Sequence, residues 1–140
     1  MPSAQNLSRL NPAGLFDPSP YGFCHSLTAP ADGEWLFISG QSGGEGLEHR
    51  LSNDFRSQVQ VALGNLDTVL AAHGLTFASL LKITVLIVDH DADKLVIWGQ
   101  ELGRYCTPQT LPASTLIPVP CLALAGMQIE VDAIAFKARA

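Results

Sequence analysis

Two carboxylates near the end of the sequence have a spacing that general acid–base chemistry could use. Glu130 and Asp132 lie two residues apart in the alternating segment MQIEVDAIAFK, residues 127 to 137, which predicts a strand. Alternate residues of a strand point to the same side, so both carboxylates lie on one face. Such a pair can act as general acid or base, with the pKa of one carboxyl group raised by its neighbour. A solvated strand face explains the same pattern, and the two residues alone leave both interpretations open.

Histidine, cysteine and glycine patterns argue against several other kinds of site. The four histidines lack HxH and HExxH spacing and the three cysteines lack a CxxC pair, so no metal site is predicted. The glycine cluster ISGQSGGEG, residues 38 to 46, lacks phosphate-loop spacing and is interpreted as a flexible connection. Cys24 and Cys121, which have apolar neighbours, are expected to be buried. Trp35 and Trp98 are expected to pack.

An uncharged segment, LPASTLIPVPCL at residues 111 to 122, combines strand-forming residues with two prolines. Pro118 and Pro120 have the same parity, so their missing N–H groups face one edge of the strand. A strand tolerates this only where that edge is unpaired or bulged. The sequence therefore places Ser114 to Leu122 at a sheet margin or a subunit boundary.

Hydrophobic periodicity predicts the elements of the first half of the chain. Residues 1 to 20 contain four prolines and are interpreted as an irregular lead-in. Strands are predicted at residues 23 to 29 and 34 to 39, and the turn Pro-Ala-Asp-Gly between them favours a hairpin. A helix is predicted to begin after Ser52-Asn53-Asp54 and to end at His73-Gly74, because both ends carry capping residues.

The second half predicts a strand, a helix and the two strands already described. Residues 81 to 89 are apolar on both faces, which is typical of a strand between two layers. A second helix is predicted from Asp91 to about Tyr105, with Leu95, Trp98 and Leu102 on one face. Two helices on one face of a mixed sheet make an α+β fold. The opposite face of the sheet has no helix to cover it and is the expected oligomer contact.

Composition supports an oligomer and limits the classes of partner. Charged residues make up 15% of the 140 residues, against roughly 25% in soluble domains. The net charge is −5 and the eight basic residues are scattered, so nucleic acid is not an expected partner. No apolar run is long enough to span a bilayer and no signal peptide is recognised, so a soluble cytoplasmic protein is expected.

Several segments together carry a resemblance to a known family. They are Tyr21 in SPYGFCHS, Ile38-Ser39-Gly40-Gln41, the block of residues 58 to 89, Leu111-Pro112-Ala113, and the closing IEVDAIA of residues 129 to 135. From about Tyr21 onward the chain resembles the RidA (YjgF-type) reactive-intermediate deaminase family. The resemblance implies a chorismate-mutase-like α+β fold for a single RidA-like domain, residues 1–140, assembled as a homotrimer with ligand clefts between subunits.

The resemblance also implies a chemistry and a set of site residues. Active members hydrolyse reactive enamines and imines, such as 2-aminoacrylate, to keto acids and ammonia without metal or organic cofactor. Glu130 would then hold or activate the attacking water. The implied ligand-binding positions are Tyr21, Ser39, Gly40, Ser114, Thr115 and Leu116.

One position departs from the family pattern. Active members have arginine after Pro-Ala, where it binds the substrate carboxylate, and this chain has Ser114. A serine hydroxyl offers no charge, so deamination of 2-aminoacrylate is not expected. Ile97 stands near a family asparagine, and Ile97, Leu116 and Ile117 are expected to make the cleft apolar. Two functions remain open, namely a deaminase with a less acidic substrate and a non-catalytic binding protein. An endoribonuclease role is disfavoured by the acidic composition.

Overall fold

A four-stranded mixed sheet forms the centre of the protein. The computed structural model describes residues 6–139, so residues 1–5 of the predicted lead-in and residue 140 lie outside it. The strands of the sheet are β3 Gly33–Ser42, β6 Leu80–Val88, β7 Ala113–Val119 and β8 Ile129–Ala138. They lie side by side in the order β3-β8-β6-β7. β6 and β7 run parallel, and β8 pairs antiparallel with β3 and β6.

Two small antiparallel sheets complete the strands. β1 Ser8–Leu10 pairs with β2 Ser26–Thr28, and β4 Gly44–Glu45 pairs with β5 Arg50–Leu51. The predicted hairpin between residues 23 to 29 and 34 to 39 is therefore wrong, because β2 pairs with β1 and β3 pairs with β8. The chain before β2 instead follows the opposite edge of the main sheet, where Cys24 forms a bridge with Ala113.

Two segments predicted to be irregular contain ordered backbone. In the described part of the predicted lead-in, β1 forms because it can pair with β2. The predicted flexible connection, residues 38 to 46, contains the end of β3 and all of β4. Side chains hold the β4–β5 hairpin in place. Ser42 Oγ lies 2.5 Å from His49 Nε2. Asn65 donates from Nδ2 to the carbonyl oxygens of Ser42 and Gly44, at 3.1 and 3.0 Å.

Both predicted helices are present and both begin at a capping aspartate. In α1, Phe55–Ala72, the carboxylate of Asp54 accepts from the Ser57 side chain and backbone N–H, which lowers the pKa of Asp54. In α2, Ala92–Leu102, Asp91 caps the first turn in the same way. Short 3-10 helices occupy Ser19–Tyr21 and Phe77–Ser79. Within residues 6–139 no helix combines the length and the apolar character needed to cross a membrane.

The core lies between the helices and one face of the sheet, called here the inner face. It buries α1 residues Val59, Leu63, Leu66 and Leu70 against sheet residues Ile83, Val85, Ile87, Val131 and Ala133. Residues that alternate with these on each strand point to the other face, called here the outer face. The prediction of an α+β fold, with two helices on one face of a mixed sheet, is confirmed.

The outer face leaves large apolar side chains exposed in the single chain. Trp35 is 59% and Phe37 is 72% exposed, so the expectation that Trp35 packs is wrong for this chain alone. Both belong to β3 and alternate with Leu36 and Ile38, which face the core. Trp98 is 2% exposed, as expected.

The cysteines divide in the same way between burial and exposure. Cys24 is buried as expected, whereas Cys121 is exposed. The expectation for Cys121 is wrong because β7 ends at Val119 and Cys121 follows it in irregular chain that no element covers.

A buried glutamine ties the start of α1 to the chain before β8. Gln58 is completely buried, and its Nε2 donates to the carbonyl oxygens of Ser52 and Gly126 at 2.7 and 2.8 Å. Its Oε1 accepts from the backbone N–H of Gln128 at 2.9 Å. The Gln58 amide thus satisfies three backbone groups. Its removal would leave those three groups without this hydrogen-bond partner.

We expect Gln58→Ala to lower the free energy of unfolding by about 3 kcal/mol or more, since each buried group left unsatisfied costs about 1–3 kcal/mol. Gln60→Ala is the matched control, because Gln60 is exposed on the same helix and should change stability by less than about 0.5 kcal/mol. Urea unfolding at one protein concentration measures both. Equal losses in the two variants would contradict a structural role for the Gln58 amide.

Candidate functional site

A cavity of about 490 Å³ lies between α2 and the edge strand β7. The segment before β2 forms its third side. Its lining consists of Phe16, Tyr21, Phe23, Leu95, Trp98, Ser114 and Leu116. We call it the aromatic cavity, because four of these seven residues are aromatic.

The strand side of the aromatic cavity follows from the position of β7. β7 is an edge strand, which confirms the predicted sheet margin. Ser114 and Leu116 lie opposite Ile83 and Val85 of β6, which face the core. Paired residues share a face, so Ser114 and Leu116 point to the inner face, at the border where the helix layer ends.

The helix side comes from α2. Leu95 and Trp98 are three residues apart, so they are neighbours on one helix face. Trp98 is 2% exposed and belongs to the core cluster, which fixes its ring. The Trp98 part of this wall therefore belongs to the packed interior, whereas Leu95 is 37% exposed.

The third side is a cluster of rings before β2. Phe16 packs edge-on against Tyr21 and Phe23, with ring centroids 5.7 and 6.1 Å apart. Gly22 has φ +85°, a conformation that favours glycine, and it turns the chain between Tyr21 and Phe23. The Phe16 ring is nearly perpendicular to the rings of both residues, at 87° to Tyr21 and 73° to Phe23.

The lining of the aromatic cavity carries no ionisable carboxylate, ammonium or guanidinium group. The polar side-chain groups among its lining residues are the hydroxyl groups of Ser114 and Tyr21 and the indole N–H of Trp98. An apolar lining with a few polar groups is typical of sites for uncharged small molecules. A bound carboxylate would have no cation here to offset its loss of water.

A second group of predicted site residues lies on the outer face. Glu130 is opposite Leu86 of β6, which in turn is opposite Ile117 of β7. A register shift in β3 between Ile38 and Gln41 brings Gly40 against Glu130. A Cβ atom on residue 40 would lie 2.5 Å from Glu130 Oε2, so only glycine lets the backbone approach this carboxylate.

One chain therefore does not bring all the predicted site residues together. The cavity contains Tyr21, Ser114 and Leu116, and the outer face contains Ser39, Gly40, Thr115 and Glu130. Thr115 accepts a hydrogen bond from Lys82 Nζ at 2.7 Å on that face. Asp132 lies there as well, opposite Thr84.

Two expected lining residues are absent from the cavity, and four unexpected ones are present. Ile97 packs against the core and Ile117 points to the outer face, so neither lines the aromatic cavity. Their place in a cleft between subunits stays a prediction. Phe16, Phe23, Leu95 and Trp98 were not expected in a site. The shared helix face of Leu95 and Trp98 was a usable signal, whereas Phe16 lies in a segment with no periodic pattern.

Thiol and metal chemistry find little support near the cavity. Burial raises the pKa of Cys106 to about 12 and also raises the pKa of Cys24. Both therefore remain protonated near neutral pH and are poor nucleophiles. Within the described residues, no group of three or more His, Cys, Asp or Glu side chains could hold a metal ion.

Comparison with known proteins gives consistent similarities. A family model described as Endoribonuclease L-PSP matches residues 23–137. The solved structure of the Rid-family protein YyfB from Yersinia pestis is 28% identical, with TM-score 0.86, covering 93% of this chain and 98% of that one. The protein YJGH is 27% identical, with TM-score 0.65, covering 95% and 98%. RidA from an Antarctic Psychrobacter, 19% identical with TM-score 0.66 over 84% and 94%, is similar in fold. No curated protein matches significantly.

Proposed function

The chain belongs to the Rid (YjgF-type) family, and on that premise we propose that it binds an uncharged small molecule in its aromatic cavity. The main support for this proposal is the lining of the cavity, in which six apolar or aromatic side chains surround Ser114 and no charged side chain is present. The volume of about 490 Å³ is suited to a small organic ligand. The proposed compartment is the cytoplasm, where three unpaired cysteines stay reduced.

Ser114 decides which ligands are favoured. Its side chain enters the cavity at the position where, by resemblance, active relatives carry arginine. A guanidinium group binds a carboxylate through two charge-assisted hydrogen bonds, whereas a hydroxyl group donates one neutral hydrogen bond. The cavity therefore favours an amide, a ketone or another uncharged polar group beside Ser114.

RNA fits the surface charge poorly. Of the eight Lys and Arg residues, four arginines form ion pairs with carboxylates, namely Arg50, Arg56, Arg104 and Arg139. A nucleic-acid site needs cations free to neutralise phosphates, and bases stack on aromatic groups beside them. The lining of the aromatic cavity contains no lysine or arginine beside its aromatic side chains, so it lacks the cation that a bound nucleotide would need.

We expect the natural protein to bind phenylacetamide more tightly than phenylacetate, and Ser114→Arg to reverse that order. The new guanidinium should strengthen phenylacetate binding by about tenfold or more, because charged hydrogen bonds contribute about 1.5–3 kcal/mol. Calorimetry and the fluorescence of Trp98 measure binding. Ala125→Arg adds the same charge at an exposed loop residue and should leave the order unchanged.

A different ligand order would contradict this proposal. Tighter binding of phenylacetate by the natural protein would exclude an uncharged site. A short single-stranded RNA at low salt serves as the alternative ligand. Retardation of that RNA, with no binding of either small molecule, would favour the nucleic-acid function.

Hydrolysis of a neutral imine or enamine is the second candidate function. It is favoured by the close approach of Gly40 to Glu130, which keeps a half-buried carboxylate beside an open stretch of backbone. Glu130 would take a proton from water as the water oxygen bonds to the imine carbon. The nitrogen gains protons and leaves as ammonia, and a carbonyl compound remains. No metal or organic cofactor takes part in these steps.

The hydrolysis is tested with imines formed by an amino-acid oxidase and trapped by semicarbazide. We expect the natural protein to accelerate imine loss and Glu130→Gln to slow it by about 100-fold or more, as loss of a general base does. Asp132→Asn, on the same face of the same strand, should keep the rate within about threefold. No acceleration with both acidic and neutral imines would remove hydrolysis and leave ligand binding as the function.

We also propose that three copies assemble through the outer face. Trp35, Phe37 and Ile117 are exposed there, and burying an aromatic side chain is strongly favourable. Such an assembly would put Glu130 at a boundary between subunits, where a neighbouring chain could complete a cleft.

Light scattering is expected to give the mass of three chains at micromolar concentration. Phe37→Asp should lower the mass, because it places a charge in the buried contact at a cost of several kcal/mol. Leu47→Asp is the control, since Leu47 is fully exposed in the turn after β4 and should keep the trimer mass. A folded single chain in the natural protein would contradict the assembly.

A further inference from the structure

We propose that Phe16 is a specificity-determining residue that makes the aromatic cavity selective for ligands with an uncharged aromatic ring. The inference rests on the proposed binding function and narrows its ligand class. It concerns a residue that precedes the matched family segment, which begins at residue 23.

The number of aromatic side chains in the cavity indicates a ligand with an aromatic ring. The chain has six Phe, two Trp and two Tyr residues, and Phe16, Tyr21, Phe23 and Trp98 line this one cavity. Aromatic rings attract one another in edge-to-face and offset-stacked arrangements beyond their hydrophobic burial. Phe16 is nearly perpendicular to Tyr21 and to Phe23, at 87° and 73°, so a ligand ring can meet both faces and edges.

Phe16 is held in place although its side chain is 58% exposed. The Nε2–H of His25 donates to the carbonyl oxygen of Phe16 at 2.8 Å, and the His25 ring packs edge-on against Phe16 at 5.0 Å. The backbone N–H of His25 donates to Asn11 Oδ1 at 2.7 Å, which ties the segment before Phe16 to the same residue. An exposed apolar ring that is fixed in this way is available to a ligand without first being ordered.

The contact from His25 does not depend on its charge. The acceptor is a carbonyl oxygen, so Nε2 carries the hydrogen in the bonded form, whether the ring is neutral or protonated. His25 is therefore a positioning residue for Phe16.

An uncharged ring fits better than an organic cation. Aromatic walls can also hold ammonium groups, but the lining offers no carboxylate to balance the charge. Leu95 and Leu116 contribute aliphatic surface. A cation placed against this surface would lose water without gaining a partner, which costs free energy. The volume of about 490 Å³ leaves room for a whole ring and its substituent.

Three probes of similar size test the proposal by calorimetry, namely phenylacetamide, cyclohexylacetamide and phenyltrimethylammonium. The natural protein should bind phenylacetamide about fivefold more tightly than cyclohexylacetamide, which is the range of one aromatic pair. Phe16→Leu keeps an apolar wall and should bring the ratio close to one. Leu15→Ala is the matched control, because Leu15 is exposed in the same segment but does not line the cavity.

Variants of His25 separate positioning from mere stability. His25→Ala should lower the ratio partway, and His25→Gln, whose amide can donate to the Phe16 carbonyl, should restore it. Loss of the ratio in His25→Gln as well as His25→Ala would overturn the positioning role.

The outcomes distinguish this inference from the function on which it rests. If neither amide binds the natural protein, the proposed function fails and Phe16 selectivity fails with it. If both amides bind with a ratio that Phe16→Leu does not change, binding stands and the Phe16 inference is overturned. Tighter binding of phenyltrimethylammonium would overturn it as well, since the cavity would then be a cation site.

Discussion

Burial of one face of the sheet under α1 and α2 is the interaction on which the rest of the structure depends. It fixes the register of each strand, because a shift by one residue would turn Val85 and Val131 away from the helices. The same constraint sends alternate residues, including Glu130 and Phe37, to the outer face. The separation of an apolar cavity from a carboxylate is thus a direct result of how the core is packed.

The aromatic cavity exists because the helix layer ends before the sheet does. β7 extends past the cover of α1, and α2 contributes only Leu95 and Trp98 along this border. The segment before β2 closes the remaining side with rings instead of a helix. The strand β7 and the helix α2 therefore supply two walls, and the segment before β2 supplies the third.

Local patterns predicted most of the fold, and long-range pairings were the part they missed. The caps at Asp54 and Asp91 and the two-faced apolar strand at residues 80–88 depend on neighbouring residues, so the sequence predicts them. β1 has three residues, which is too short for a periodic signal. The strand predicted at residues 23 to 29 contains β2, but its local pattern gave no sign that its partner would be β1. For the site, the alternation of Glu130 and Asp132 showed that they share a face but not which face the helices would cover. Phe16 gave no signal, because an apolar residue in an irregular segment is ordinarily a surface residue.

The free edge of β7 has a consequence for how copies of this protein can associate. At its start, the backbone N–H of Cys24 donates to the carbonyl oxygen of Pro112 at 2.9 Å, so this part of the edge is already occupied. At its end, Pro118 and Pro120 offer no N–H group to another strand. Extension of the sheet by an added strand is disfavoured along this side, as in natural proteins that resist fibril growth. Copies that met along this side would have to do so through side chains, because the backbone groups that a growing fibril needs are blocked there.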